Sequence, residues 1–210
     1  MITLSLSQLL SFLGAAMLIT LSPGPDNLMV LSLGMARGRR LGVAFGLGCA
    51  LGCLSHTLLA ALGISALIAA SPWAFGAFKI LGGLYLIRMG WGALRSRGSA
   101  RTGDSGRPPD TAWTLFGRGL LANAINPKVV LFFLAFLPQF VVASAGGVPW
   151  QIGQLGLVFT VQSAVLFGAL GFFAGQVGSF LQRRPRAGLW LDRVAGMIFI
   201  GLGLKLIVSR

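Results

Sequence analysis

The sequence predicts an all-α polytopic membrane protein: six transmembrane helices arranged as two inverted three-helix repeats, with the first and fourth helices broken near the bilayer centre. Three observations lead there. Six apolar runs each reach the roughly 20 residues that a membrane-spanning helix needs. The short segments between them alternate between basic and uncharged. Two of the runs, one in each half of the chain, carry proline-containing breaks at similar depth.

Composition comes first because it restricts the solvent. Of the 210 residues, 55% are hydrophobic and 10% are charged, against about a quarter charged in a soluble domain. The mean hydropathy is +0.84. Glutamate is absent, and the acids are Asp26, Asp104, Asp110 and Asp192. So few charges cannot cover a water-facing surface, so most of the chain must face lipid or other apolar helices.

The runs extend over about Leu6 to Ala36, Leu41 to Ala66, Pro72 to Leu94, Gly119 to Val142, Gln151 to Leu181 and Leu189 to Val208. The linkers read, in order, "RGRR", "AASPWA", "RSRGSARTGDSGRPPD", "ASAGGVPW" and "RRPR". Most of the basic residues lie in or beside the first, third and fifth, which by the positive-inside rule places these linkers in the cytoplasm and both termini outside a bacterial-type inner membrane. A net charge of +13 gathered this way points to anionic inner-leaflet lipid, with no nucleic-acid partner. Trp73, Trp150 and Trp190 fall at run ends, where indole favours the interface. "MITLSLSQLL" lacks the basic n-region of a cleavable signal. The chain thus reads as one transmembrane domain over 1–210, with a first repeat at 1–95, a basic cytoplasmic linker at 96–116 and a second repeat at 117–210. Three helices per repeat force the repeats into opposite orientations, the architecture of many secondary transporters.

The breaks hold the candidate site. The first run contains Pro23, Gly24, Pro25, Asp26 and Asn27; the fourth contains Asn123, Asn126, Pro127 and Lys128. Pro25 lies about 18 Å along a helix from the basic anchor Arg37, and Pro127 about 13 Å from Arg118, both near the middle of a roughly 30 Å core. Proline removes a donor, clashes with the preceding turn and disfavours helix at the residue before it. Ser22, Gly24 and Asn126 are therefore expected to leave the helix. Pro25 and Pro127 are expected to start new half-helices, with Asn126 as a cap. In opposed halves, both half-helix N-termini face one central region and offer free N–H groups and partial positive charge to an anion. Lys128 adds a cation and Asp26 an anion, a combination suited to a zwitterion such as an amino acid. The alternative is that Asp26 and Lys128 pair with each other and hold the halves together.

At these residues the chain resembles the LysE/RhtB-type amino-acid exporters, or LysE-type translocators. "LSPGPDNLMV" is similar to that family's first-span motif, "NPKVVLFFLAFLPQF" to its fourth-span motif and "FKILGGLYLIRMGWGALR" to its third span. The likeness covers essentially the whole chain. It implies an inner-membrane secondary active transporter that exports amino acids or related zwitterions against a coupling ion. The expected ion is a proton exchanged by antiport, with Asp26 meeting the substrate's amino group or carrying that proton. No cofactor, metal or enzymatic activity is implied. Other family members move other small solutes or metal cations, and a cation exporter needs more mid-depth acids than Asp26 supplies.

Further candidates for the pathway or for proton coupling are His56, Lys79, Tyr85 and Gln162; each also fits a role as polar glue between helices. Cys49 and Cys53 share one helix face. A thiol-redox protein using them is a rival reading, but "CALGC" has no charge or break to activate a thiolate. Gly42, Gly46, Gly48 and Gly52 form small faces for close helix contact. There is no P-loop and no HExxH. The oligomeric state is open between monomer and homodimer.

Overall fold

The computed structural model describes residues 4–70, 72–95 and 111–208. Among them the chain is helical throughout, with no strand. The first expected run is two helices, α1 (Leu6–Leu21) and α2 (Pro25–Arg37), bent by 58° at the break. A capping box starts α1: the Gln8 N–H donates to Ser5 Oγ (3.2 Å) and the Ser5 N–H to Gln8 Oε1 (2.8 Å), satisfying two otherwise orphan donors. A tight turn at Gly38 reverses the chain into α3 (Arg39–Ala70). Gly38 has φ +91°, a conformation other residues rarely adopt. α4 (Pro72–Leu94) follows.

The second half opens with α5 (Ala112–Ala124), capped by Thr111, whose Oγ1 accepts from the Thr114 N–H at 3.1 Å. This helix begins inside the stretch expected to be linker, because Thr111 is a competent N-cap and the following "AWTLF" is apolar. After the second break, α6 (Pro127–Leu131) continues as a π-turn over Phe132–Phe136 and a 3₁₀ turn over Leu137–Phe140. The half-helix expected to start at Pro127 does start there, as one α-turn followed by a widened ladder. Pro138 cannot donate to the turn before it, and the preceding Leu137 N–H reaches back five residues to the Phe132 carbonyl, as in a π-bulge. The 112–124 and 127–140 segments are bent by 48°. α7 (Val148–Phe172), α8 (Ala174–Arg183) and α9 (Pro185–Val208) complete the chain. The expected fifth run is therefore interrupted at Phe173.

Glycines set the packing. Gly46 meets Phe167 and Gly171 meets Val43, crossing α3 with α7 in antiparallel fashion, while Gly48 and Gly119 bring α3 alongside α5 through Phe116 and Phe45. These contacts gather the start of α3, the start of α5 and the end of α7 at one end of the bundle, where Arg39 lies over the Phe172 ring at 5.0 Å. α4 and α9 form a second antiparallel pair. A Cβ on Gly90 would stand 2.5 Å from the Gly196 carbonyl oxygen, and one on Gly203 2.5 Å from that of Gly83.

Two helical stretches, Arg39–Gly63 and Val148–Phe172, are long and apolar enough to cross a membrane. Counting each bent pair as one span raises the number among the described residues to four. The outer surface carries many exposed large apolar side chains, such as Leu58, Leu62, Leu81, Leu157 and Val165. Water does not tolerate so extensive an apolar exterior in a monomer; lipid does.

The glycine contacts predict a site-specific cost. Gly90→Ala must push α4 and α9 apart and should lower thermal stability in detergent by about 1–3 kcal/mol. Gly92→Ala, two residues away with open space around its Cβ, should leave the melting temperature unchanged or raise it. Equal melting temperatures for the two variants would refute this packing.

Candidate functional site

The two breaks meet at the centre of the bundle. Ser22 (ψ 127°) ends α1, Gly24 is extended, and Asn126 (φ −72°, ψ 110°) precedes Pro127. Pro25 and Pro127 are the first residues of their helices, and Asn126 Oδ1 accepts from the Lys128 N–H at 3.0 Å. Both prolines are exposed on the outside of the bundle. They bend the chain and do not line the cavity; neither do Pro23, Gly24, Asn27 and Asn126.

The next residue in each case points inward. Asp26 and Lys128 occupy equivalent positions, one after the proline, and are 2% and 3% exposed. Among the described residues the two do not pair with each other. Lys128 Nζ donates to the carbonyls of Ser22 (2.9 Å) and Ile19 (3.1 Å) and to Asn27 Oδ1 (3.4 Å). Asn27 Nδ2 in turn donates to the Thr20 carbonyl at 2.8 Å. The ammonium therefore sits on the free carbonyls at the C-terminus of α1, the end of a helix that attracts cations. Asp26, in the first turn of α2, has the complementary end of a helix dipole. Its Oδ2 accepts from Asn123 Nδ2 at 2.8 Å, at the end of α5. Each charge thus reaches from its own break to the helix end at the other break.

Gly24 leaves room for the ammonium: a Cβ there would lie 2.9 Å from Lys128 Nζ. Asn123 is a hub. Its Oδ1 accepts from Cys53 Sγ at 3.5 Å, and its carbonyl accepts from His56 Nε2 at 3.0 Å. His56 is buried and lies against the Phe133 ring, so it ties α3 to α5. Both cysteines are free and buried. Gln162 Nε2 donates to Thr20 Oγ1 and to Ser163 Oγ, each at 2.8 Å. Tyr85 is half-buried on α4 and does not line the cavity. The side chain of Lys79 lies outside the described residues.

A small cavity of about 10 Å³ lies between the charges, lined by Asp26, Asn123, Lys128, Thr20, Ser163 and apolar neighbours including Phe159 and Phe167. That is room for about one water, so in this conformation the cavity is occluded to anything larger. Sequence reading missed Thr20, Ser22 and Ser163. Thr20 and Ser22 directly precede the PGP break and Ser163 follows Gln162, but an isolated hydroxyl in an apolar run carries no signal of its own.

The chain matches the family described as LysE type translocator over residues 17–210. It is 31% identical to a threonine efflux protein of Escherichia coli (strain K12), over 97% of this chain and 100% of that one. It is 28% identical to a leucine efflux protein of Enterobacter sp. (strain 638), over 93% of each chain. It is also 30% identical to an uncharacterized membrane protein of Pseudomonas aeruginosa, over 97% of this chain and 96% of that one. No solved structure matches.

The contact across the breaks predicts a coupling. Asn123→Ala should cost about 1.5–3 kcal/mol by removing a donor to a buried carboxylate. In an Asp26→Asn background the same change should cost clearly less. Additive losses in a double-mutant cycle of unfolding in detergent would show that the two side chains do not stabilise each other.

Proposed function

Because the chain belongs to the LysE type translocator family, we propose that it is a secondary active transporter exporting amino acids or closely related small zwitterions across a bacterial inner membrane, by proton antiport. Relatives named leucine and threonine efflux proteins support the substrate class. The observation that carries the reading is the crossed pair: a buried carboxylate and a buried ammonium border one occluded cavity, and each is held by neutral groups of the opposite half.

Those neutral groups stand where the substrate's own charges belong. A zwitterion's carboxylate draws the Lys128 ammonium away from the Ile19 and Ser22 carbonyls, and its amino group takes Asp26 from Asn123. Substrate binding then releases the contacts that latch the halves, which couples occupancy to conformation. Protonation of Asp26 from the outer side has the same unlatching effect on its bond to Asn123, so proton and substrate alternate at one site.

The six-span inverted topology is supported by the symmetry of the parts. Each half opens with a helix that is broken ahead of a proline, Pro25 in one and Pro127 in the other, with bends of 58° and 48°. The basic end then faces the cytoplasm and the termini the outside.

Purified protein in proteoliposomes tests the proposal by amino-acid counterflow and by export driven by an imposed proton gradient. Asp26→Asn should still insert and fold but lose gradient-driven export by about tenfold or more, the scale of about 1.4 kcal/mol. Lys128→Ala should raise the half-saturating substrate concentration by a similar factor. Undiminished gradient-driven export by Asp26→Asn removes Asp26 from the coupling step.

A further inference from the structure

A second, larger cavity lies beside the occluded one. The 58° bend swings α2 off the axis of α1, leaving a vestibule of about 280 Å³ beyond the end of α1, against α7 and α8. That is close to the smallest volumes of small-molecule sites. Its wall is apolar, formed by Leu21, Leu166, Phe167, Leu170, Phe173 and Val177; its polar members are Thr20 and Asn27. Thr20 and Phe167 also line the occluded cavity. These two residues are therefore the partition between the chambers. Thr20 is held by Gln162, whose Oε1 has no hydrogen-bond partner among the described residues although Gln162 is only 9% exposed. Asn27 holds the carbonyl of Thr20 and also touches the Lys128 ammonium.

We infer that the vestibule is the subsite for the substrate's side chain and that it selects amino acids with aliphatic side chains. This rests on the exporter reading above. Polar charge-binding groups lie on the occluded side of the partition, and an oily wall lies on the other. A zwitterion whose head reaches Asp26 and Lys128 past Thr20 leaves its side chain against Leu166, Leu170 and Val177. There the apolar wall rewards aliphatic carbon and penalises a charged or amide side chain, which finds no partner among these residues. A lipid tail is the competing occupant, but it has no use for the hydroxyl, amide and ammonium groups at the partition.

Counterflow in proteoliposomes against glycine, alanine, valine, leucine, phenylalanine, glutamate and lysine provides the test. Wild-type protein should half-saturate with leucine or valine at a concentration about tenfold or more below that for glutamate or lysine. Ala169, an exposed vestibule residue, offers a way to fill the space without overpacking the core. Ala169→Trp should raise the half-saturating concentration for leucine and valine about tenfold or more, and that for glycine and alanine less than about threefold. Leu170→Ala enlarges the vestibule and should shift preference toward phenylalanine. Leu157→Trp, lipid-facing on the same helix, should change none of these. Equal losses for all amino acids in Ala169→Trp, an unmoved preference in both vestibule variants, or an effect that follows the vesicles' acyl-chain length instead of the amino acid overturns the inference. If the wild-type protein moves no amino acid on the panel, the exporter reading itself falls, and the wild-type arm reports this separately from the variant arms.

Discussion

A charge buried in a membrane protein must find partners inside the protein, because hydrocarbon supplies none. Asp26 and Lys128 are such charges, and the architecture around them follows from how each is satisfied. Neither uses the obvious partner, the other. Lys128 takes the last carbonyls of α1, which are free only because Pro23 and Pro25 stop that helix in mid-course. Asp26 takes the amide of Asn123, which stands at the end of α5 only because Pro127 stops that one. Breaks and charges are therefore one device. Each proline exposes the helix end on which the other half's charge depends.

That device needs the backbones close together, and the glycines allow it. Gly24 clears the path of the Lys128 head, and Gly52 lets Asn123 lie against α3, within reach of Cys53 and His56. Within the same bundle, large apolar residues fill the interior and also cover the outside, while the buried charges gather at the two breaks. An apolar exterior is expected when the solvent is lipid. Neutral acceptors and donors hold the two charges instead of a direct ion pair, so neither charge depends on the other for its partner.

Much of this was legible in the sequence because proline chemistry is local. Ser22 and Gly24 leaving the helix, Pro25 and Pro127 starting new ones, and Asn126 capping the second all follow from two or three adjacent residues. The small faces in α3 were legible for the same reason. Direction in space was not. The prolines, which mark the site in the sequence, face outward, whereas Thr20 and Ser163, which mark nothing, line it. The π-turn at Phe132–Phe136 depends on how the ladder adjusts upstream of Pro138, and no residue there announces it. That Lys128 prefers carbonyls to Asp26 depends on which helix end lies nearer, a property of the assembled bundle.

The same geometry explains why an occluded cavity and an open vestibule sit side by side. Bending a helix at its middle does two things: it frees a helix terminus, and it moves the following segment off axis. The first shapes the polar chamber, since the freed carbonyls at the end of α1 hold Lys128 beside Asp26 and Asn123. The second creates the apolar one, since the volume that a straight helix fills is left lined by the side chains of α7 and α8. A zwitterion with an oily side chain has the same division, and Thr20, the residue before the last of α1, stands where the two chambers touch. A straight helix offers neither chamber, so a proline pair in mid-span creates a polar cavity and an apolar one in a single bend.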